Sequence, residues 1–173
     1  MWKNNLYPKD KSLTNDLDDI DFQILSHLQK DGRKSLTDLA TDTGLAVSTV
    51  RNRLARLLDN KIIQIIGRVE PEKVGFHVYA RVMIAVRPIS LIETVADFIN
   101  QLPEVSFLAR TSGNFDLELN VMCRNNDHLN ELLDKIQRAE GVYDTNTNVY
   151  FKIYKLAQPS LDLVQNSAFS VLN

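Results

Sequence analysis

Apolar positions along this chain recur with two different periods, and the change of period divides it. Leu17, Ile20, Ile24, Leu25 and Leu28 fall at helical spacing and predict a helix over about Leu17–Lys30, stopped by Asp31-Gly32. Ser35 is a suitable N-cap for a second helix, with Asp38 three residues on. A third helix follows a turn at Gly44 and places Val50, Leu54, Leu57 and Leu58 on one arc. The β-rich run from Lys61 to Ile66, closed by Gly67, predicts the small wing of a winged helix, and Pro71 to Gly75 reads as a linker. From Val78 the period becomes two. Val78, Ala80, Val82, Ile84 and Val86 predict a strand, which Pro88 ends. Ile92, Val95, Ala96, Ile99 and Leu102 return to helical spacing. Strands are then expected over Val105–Thr111 and Phe115–Cys123, joined by a Ser112-Gly113-Asn114 turn. Leu129, Leu132, Leu133 and Ile136 mark another helix, and Val149, Phe151 and Ile153 a fourth strand.

The expected fold class is therefore α+β. A winged helix-turn-helix over residues 17–68 precedes a linker at 69–76 and a ferredoxin-like βαββαβ domain over 77–156. Residues 1–16 read as a flexible arm and 157–173 as a tail.

The stretch SLTDLATDTGLAVSTVRNRLARLL, residues 35–58, points furthest toward function. Opposite the apolar arc of its second helix stand Ser48, Thr49, Asn52, Arg53 and Arg56, with Arg51 at the flank and no acid before Asp59. Asn pairs bidentately with adenine and Arg with guanine, while Ser and Thr reach bases or phosphates. A solvated basic face is the bland alternative for an isolated helix. The preceding helix and the glycine turn favour a helix that enters the DNA major groove. The expected partner is double-stranded DNA with a palindromic operator.

Charge refines this picture. The net charge is −2, not that of a generic nucleic-acid coat. Residues 17–68 carry eight Lys or Arg against seven Asp or Glu, and residues 69–155 nine against twelve. No apolar run is long enough for a membrane span, and the N-terminal residues lack an apolar signal core. The single cysteine, Cys123, alternates with apolar neighbours and reads as an inert buried thiol in a cytoplasmic protein. His27, His77 and His128 lack metal-site spacing, no glycine-rich phosphate loop occurs, and no cofactor or metal is expected.

The second face of the sheet is expected to carry Tyr79, Met83, Leu108, Tyr150 and Tyr154 among Arg81, Arg110, Glu118 and Lys152. A face this aromatic, with no helix left to cover it, predicts a homodimer.

Four segments carry a family resemblance: LDDIDFQILSHLQKDGRKS, LATDTGLAVSTVRNRLARLLDNKII, TSGNFDLELNV and GVYDTNTNVYF. Together, over about residues 17–156, the chain resembles the Lrp/AsnC (leucine-responsive, feast/famine) regulators. The resemblance implies a transcription regulator that assembles dimers, often into octamers, and senses a small molecule, usually an amino acid. It implies an effector pocket between subunits, near the positions of Ser112 to Asp116 and Gly141 to Thr147. Backbone N–H groups around Gly113 would hold a carboxylate, Asp116 would face an ammonium, and Thr145 and Thr147 would supply hydroxyls, with Ser112 and Asn114 completing the turn. Ser112-Gly113-Asn114 reads equally as a plain hairpin turn, and Asp116 as an edge carboxylate paired to Arg110. Two positions depart from the pattern. Asn114 stands where many relatives have an acid, and Ala46-Val47 where many have Ser-Pro.

Two other classes compete. Haem-precursor decarboxylases share the two-domain architecture, and His77 with Arg81, Arg87 and Arg110 is the only candidate set for such chemistry. An assembly or ligand-sensing module without DNA binding is the other. The basic helix favours a regulator over an enzyme.

Overall fold

The computed structural model describes residues 17–161 and 163–164, so the arm expected over residues 1–16 and Phe169 of the tail lie outside the described residues. Among the described residues two compact units form, one from residues 17–67 together with the described residues from Ala157 on, the other from Arg68–Leu156.

The first unit holds α1 (Asp19–Lys30), α2 (Leu36–Thr43) and α3 (Val47–Asp59). Capping sets their starts. The Asp21 N–H donates to the Asp18 carboxylate at 2.9 Å, and the Asp18 N–H donates back to Asp21 at 3.2 Å. Ser35 Oγ accepts from the Asp38 N–H at 3.1 Å. Gly44 ends α2 with φ +68°, a left-handed position that suits glycine. Ile24, Leu25, Leu28, Leu39, Ala40, Val50 and Leu57 form the core. Leu161 packs against it, and Gln29 Nε2 donates to the Pro159 carbonyl at 2.9 Å.

Ala46 offers α3 no side-chain cap. Ala46→Ser is expected to stabilise this unit by about 1 kcal/mol, read as a raised denaturant midpoint. An unchanged midpoint would mean that water already satisfies those N–H groups.

The expected wing does not form. Residues 61–66 leave α3 through Lys61, at φ +57°, and contain no strand. Ile62 and Ile63 pack onto the helices while Ile65 and Ile66 stay exposed. A β-prone run needs a neighbour for its backbone groups, and none lies beside it among the described residues.

The second unit holds β1 (Val78–Val86), α4 (Ile92–Asn100), β2 (Val105–Arg110), β3 (Leu117–Cys123), α5 (Asn126–Gln137) and β4 (Val142–Val149). The antiparallel sheet has the order β2-β3-β1-β4, the βαββαβ arrangement. Ala80, Val82 and Ile84 pair with Val121, Leu119 and Leu117, and this face packs under Val95, Ile99, Leu132 and Ile136. Cys123 is buried there, and burial pushes its thiol pKa up.

Two strand assignments need correction. The fourth strand is Val142–Val149, so Phe151 and Ile153 lie beyond it. Its Thr-Asn alternation has little apolar signal; pairing with the buried β1 makes it a strand. Leu108 faces the core opposite Leu119 and not the open face. The register shifts between Val105 and Phe107, which puts Phe107 on the open side opposite Asn120.

Candidate functional site

The α2–turn–α3 segment presents one exposed polar surface. Val50 and Leu57 are fully buried, and Val47 and Leu54 are half-buried beside them. Ser48, Thr49, Arg51, Asn52 and Arg56 are exposed. Leu58 is 39% exposed and does not belong to the core arc.

Arg53 is not opposite the core. It precedes Leu57 by four residues, about 40° around the helix axis, and so flanks the buried arc. Its Nη1 donates to both oxygens of Asp18, at 2.8 and 2.7 Å, and to Asp21 at 3.0 Å. Arg56 Nη2 bonds the other oxygen of Asp21, which is fully buried. Two acids at the start of α1 thus hold two of the three arginines of α3. The Arg53 guanidinium, with the Asp21 N–H adding to it, holds the Asp18 carboxyl below its ordinary pKa of 3.8. These acids in turn hold Arg53 above its ordinary range. Arg51 has no ion pair with a described residue.

At the C-terminal end of β1, Ser112, Gly113 and Asn114 form an exposed turn with Gly113 at φ +112°. The turn is tied by Thr111, whose N–H donates to the Asp116 carbonyl and whose Oγ1 donates to that of Phe115. Asp116 does not pair with Arg110. Its Oδ2 accepts from the Val86 N–H at 2.8 Å and from Arg87 Nη1 at 3.2 Å, while Arg110 lies 3.8 Å from Glu93. Thr145 and Thr147 oppose Ile84 and Val82, which places them on the helix-covered side of β4. Thr145 Oγ1 accepts from Gln137 Nε2 at 3.0 Å. The strand that follows the turn, β3, and the Thr145 segment of β4 flank β1 from opposite sides, so that Leu117 and Thr145 both pair with Ile84, about 10 Å apart, two strand spacings.

Gly141 opens β4 at φ +92°, and its carbonyl accepts from the Arg87 N–H at 2.8 Å. A Cβ there would stand 3.0 Å from Leu91 Cβ and Cδ1 and 3.2 Å from Val95 Cγ2. Neither this constraint nor the Asp21 clamp was evident from the sequence. The arc arithmetic for Arg53 was the available signal for the second.

The open sheet face carries Tyr79, Met83, Phe107 and Tyr150, with the Tyr79 and Tyr150 rings 5.1 Å apart. At its far end lies a groove of about 490 Å³ lined by Phe76, His77, Tyr79, Met122 and Tyr150 among others. Phe151 is fully exposed.

Comparison with known proteins agrees with both units. Residues 17–58 match the AsnC-type helix-turn-helix domain, and residues 79–159 match the Lrp/AsnC ligand binding domain. The HTH-type transcriptional regulator FL11 of Pyrococcus furiosus is 35% identical over 140 residues, covering 80% of this chain and 92% of that protein. A transcriptional regulator from Neisseria meningitidis, solved as an L-Met complex, is 26% identical with a TM-score of 0.79, covering 85% of this chain and 99% of that one. The leucine response regulatory protein LrpA of Mycobacterium tuberculosis is 28% identical with a TM-score of 0.75, covering 83% and 98%.

Proposed function

Because this chain belongs to the Lrp/AsnC family of helix-turn-helix transcriptional regulators, DNA-binding proteins with a ligand-binding domain and not enzymes, we propose that it reads DNA through Ser48, Thr49, Arg51 and Asn52 and answers to an amino acid. The observation that carries the proposal is the exposed polar face of α3 backed by buried Val50 and Leu57. Asn52 and Arg51 have the chemistry for base edges, and the two hydroxyls suit phosphates or bases. Arg56, half exposed but bonded to Asp21, lies at the rim of this face.

The effector's carboxylate would sit on N–H groups around Gly113, and its ammonium near Asp116. Thr145 and Thr147 lie across β1, so the ligand would join the turn of one subunit to the segment of another. The L-Met complex of the Neisseria meningitidis relative supports an amino acid as the class. The open face, with Tyr79, Phe107 and Tyr150 uncovered by any described helix of its unit, supports a homodimer. A dimer would match two half-sites of a palindromic operator.

The test is binding to DNA upstream of the protein's own gene, titrated with salt and repeated with each of the standard amino acids. Specific binding that weakens steeply with salt is expected, and one amino acid should shift the curve. Arg51→Ala and Asn52→Ala should each lower specific affinity about ten-fold. Unchanged affinity in the double variant would remove α3 as the reading element. Sedimentation of the free protein as a monomer would remove the dimer.

A further inference from the structure

We propose that Asp18 is a specificity-determining residue for DNA binding, withholding Arg53 from the phosphate backbone. The proposal rests on α3 as the DNA-reading helix and adds a role for α1 to that reading.

The geometry is that of a closed, neutral cluster. Asp18 and Asp21 face Arg53 and Arg56, two acids against two bases. Only about a quarter of the Arg53 side chain reaches solvent. Asp18 itself is about half exposed at the N-terminus of α1. A phosphate approaching Arg53 must either displace Asp18 from Nη1 or meet the guanidinium with the Asp18 carboxylate still beside it, one anion next to another. Displacement forfeits bonds of 2.7 and 2.8 Å and creates a repulsion.

The consequence follows from how proteins bind DNA at large. Each arginine that meets a phosphate releases condensed counterions and adds to affinity for any sequence. Three free arginines on one short helix would hold the protein on arbitrary DNA. With Arg53 and Arg56 neutralised, Arg51 is the arginine left unpaired by described residues, beside the neutral donors Ser48, Thr49 and Asn52. Discrimination then falls to groups that read base edges.

Asp18→Asn isolates the effect. Asn caps a helix as well as Asp does, so the bond from the Asp21 N–H survives while the charge is lost. Two duplexes serve as probes, one of random sequence and one selected from a random pool for tightest binding to the full-length wild type. The D18N variant should bind the random duplex several-fold more tightly at low salt. Its plot of log affinity against log salt should steepen by about 0.9, one phosphate contact. The ratio of selected to random affinity should fall. Arg53→Gln in the wild-type background should leave the slope unchanged, and D18N with R53Q should restore it. Circular dichroism checks that the helices remain, and D18N decides alone if R53Q unfolds.

An unchanged slope and ratio in D18N, with normal wild-type binding, would overturn the proposal alone. So would a slope flattened by about one in R53Q, because Arg53 would then already contact phosphate. A wild type that binds neither duplex would instead overturn the DNA-reading role of α3, and this proposal with it.

Discussion

Replacing Asp21 with Asn is expected to destabilise the helical unit by about 3 kcal/mol, the low end for breaking a buried ion pair. Asp21 has no exposed surface, and its two oxygens hold Arg53 and Arg56. The amide keeps the shape and can still accept from the Asp18 N–H. It removes the charge that justifies packing two guanidiniums there, and turns an N–H₂ toward one of them. The low end applies because both arginines are partly exposed, so water screens what is left. Hydrogen exchange resolves the outcome. Amides in the core of α1 and α3 should exchange about a hundred-fold faster, and those of β1 and β3 at their original rate. A loss below about 1 kcal/mol would mean that the pair is worth no more than a surface contact.

Gly141→Ala is expected to cost the sheet unit about 2–3 kcal/mol, from two separate causes. The residue sits at φ +92°, where a Cβ is strained. The Cβ would also press on Leu91 and Val95 at 3.0–3.2 Å, and these belong to or pack on the core under the sheet. Gly113→Ala separates the causes. It shares the positive φ, at +112°, but a Cβ there meets nothing within 4 Å. Its cost should be about 1 kcal/mol. Equal shifts in unfolding midpoint for the two variants would show that backbone strain alone matters and that Leu91 and Val95 yield.

Much of the fold was readable because local chemistry and global packing agree. Ser35 and Gly44 mark helix ends through bonds made within a few residues, and β1 and β3 alternate because one face is buried. The failures share another cause. β4 is a polar segment made a strand by β1, and Ile62–Ile66 is an apolar segment denied a strand for want of a neighbour. The β2 irregularity moved Leu108 inward by one position of slip. At the candidate site, the positions of Ser48, Thr49, Arg51 and Asn52 followed from helical geometry. The fate of Arg53 and Arg56 depended on acids more than thirty residues earlier, and such a pairing leaves no periodic mark in the sequence.

The closure of the helical unit by Leu161 and Pro159 has a bearing on synthesis. Gln29 and Pro159 lie 130 residues apart, yet they belong to the same small unit. On the ribosome, α1 to α3 emerge and can cap and pack long before Leu161 is made. The βαββαβ unit, wholly contained between them, is synthesised in full before Leu161 is added. The helical unit, though earlier in the chain, acquires its Leu161 contact only after the whole βαββαβ unit has been synthesised. Its maturation thus waits on Leu161, and a nascent chain stalled before that residue carries α3 on an unfinished core.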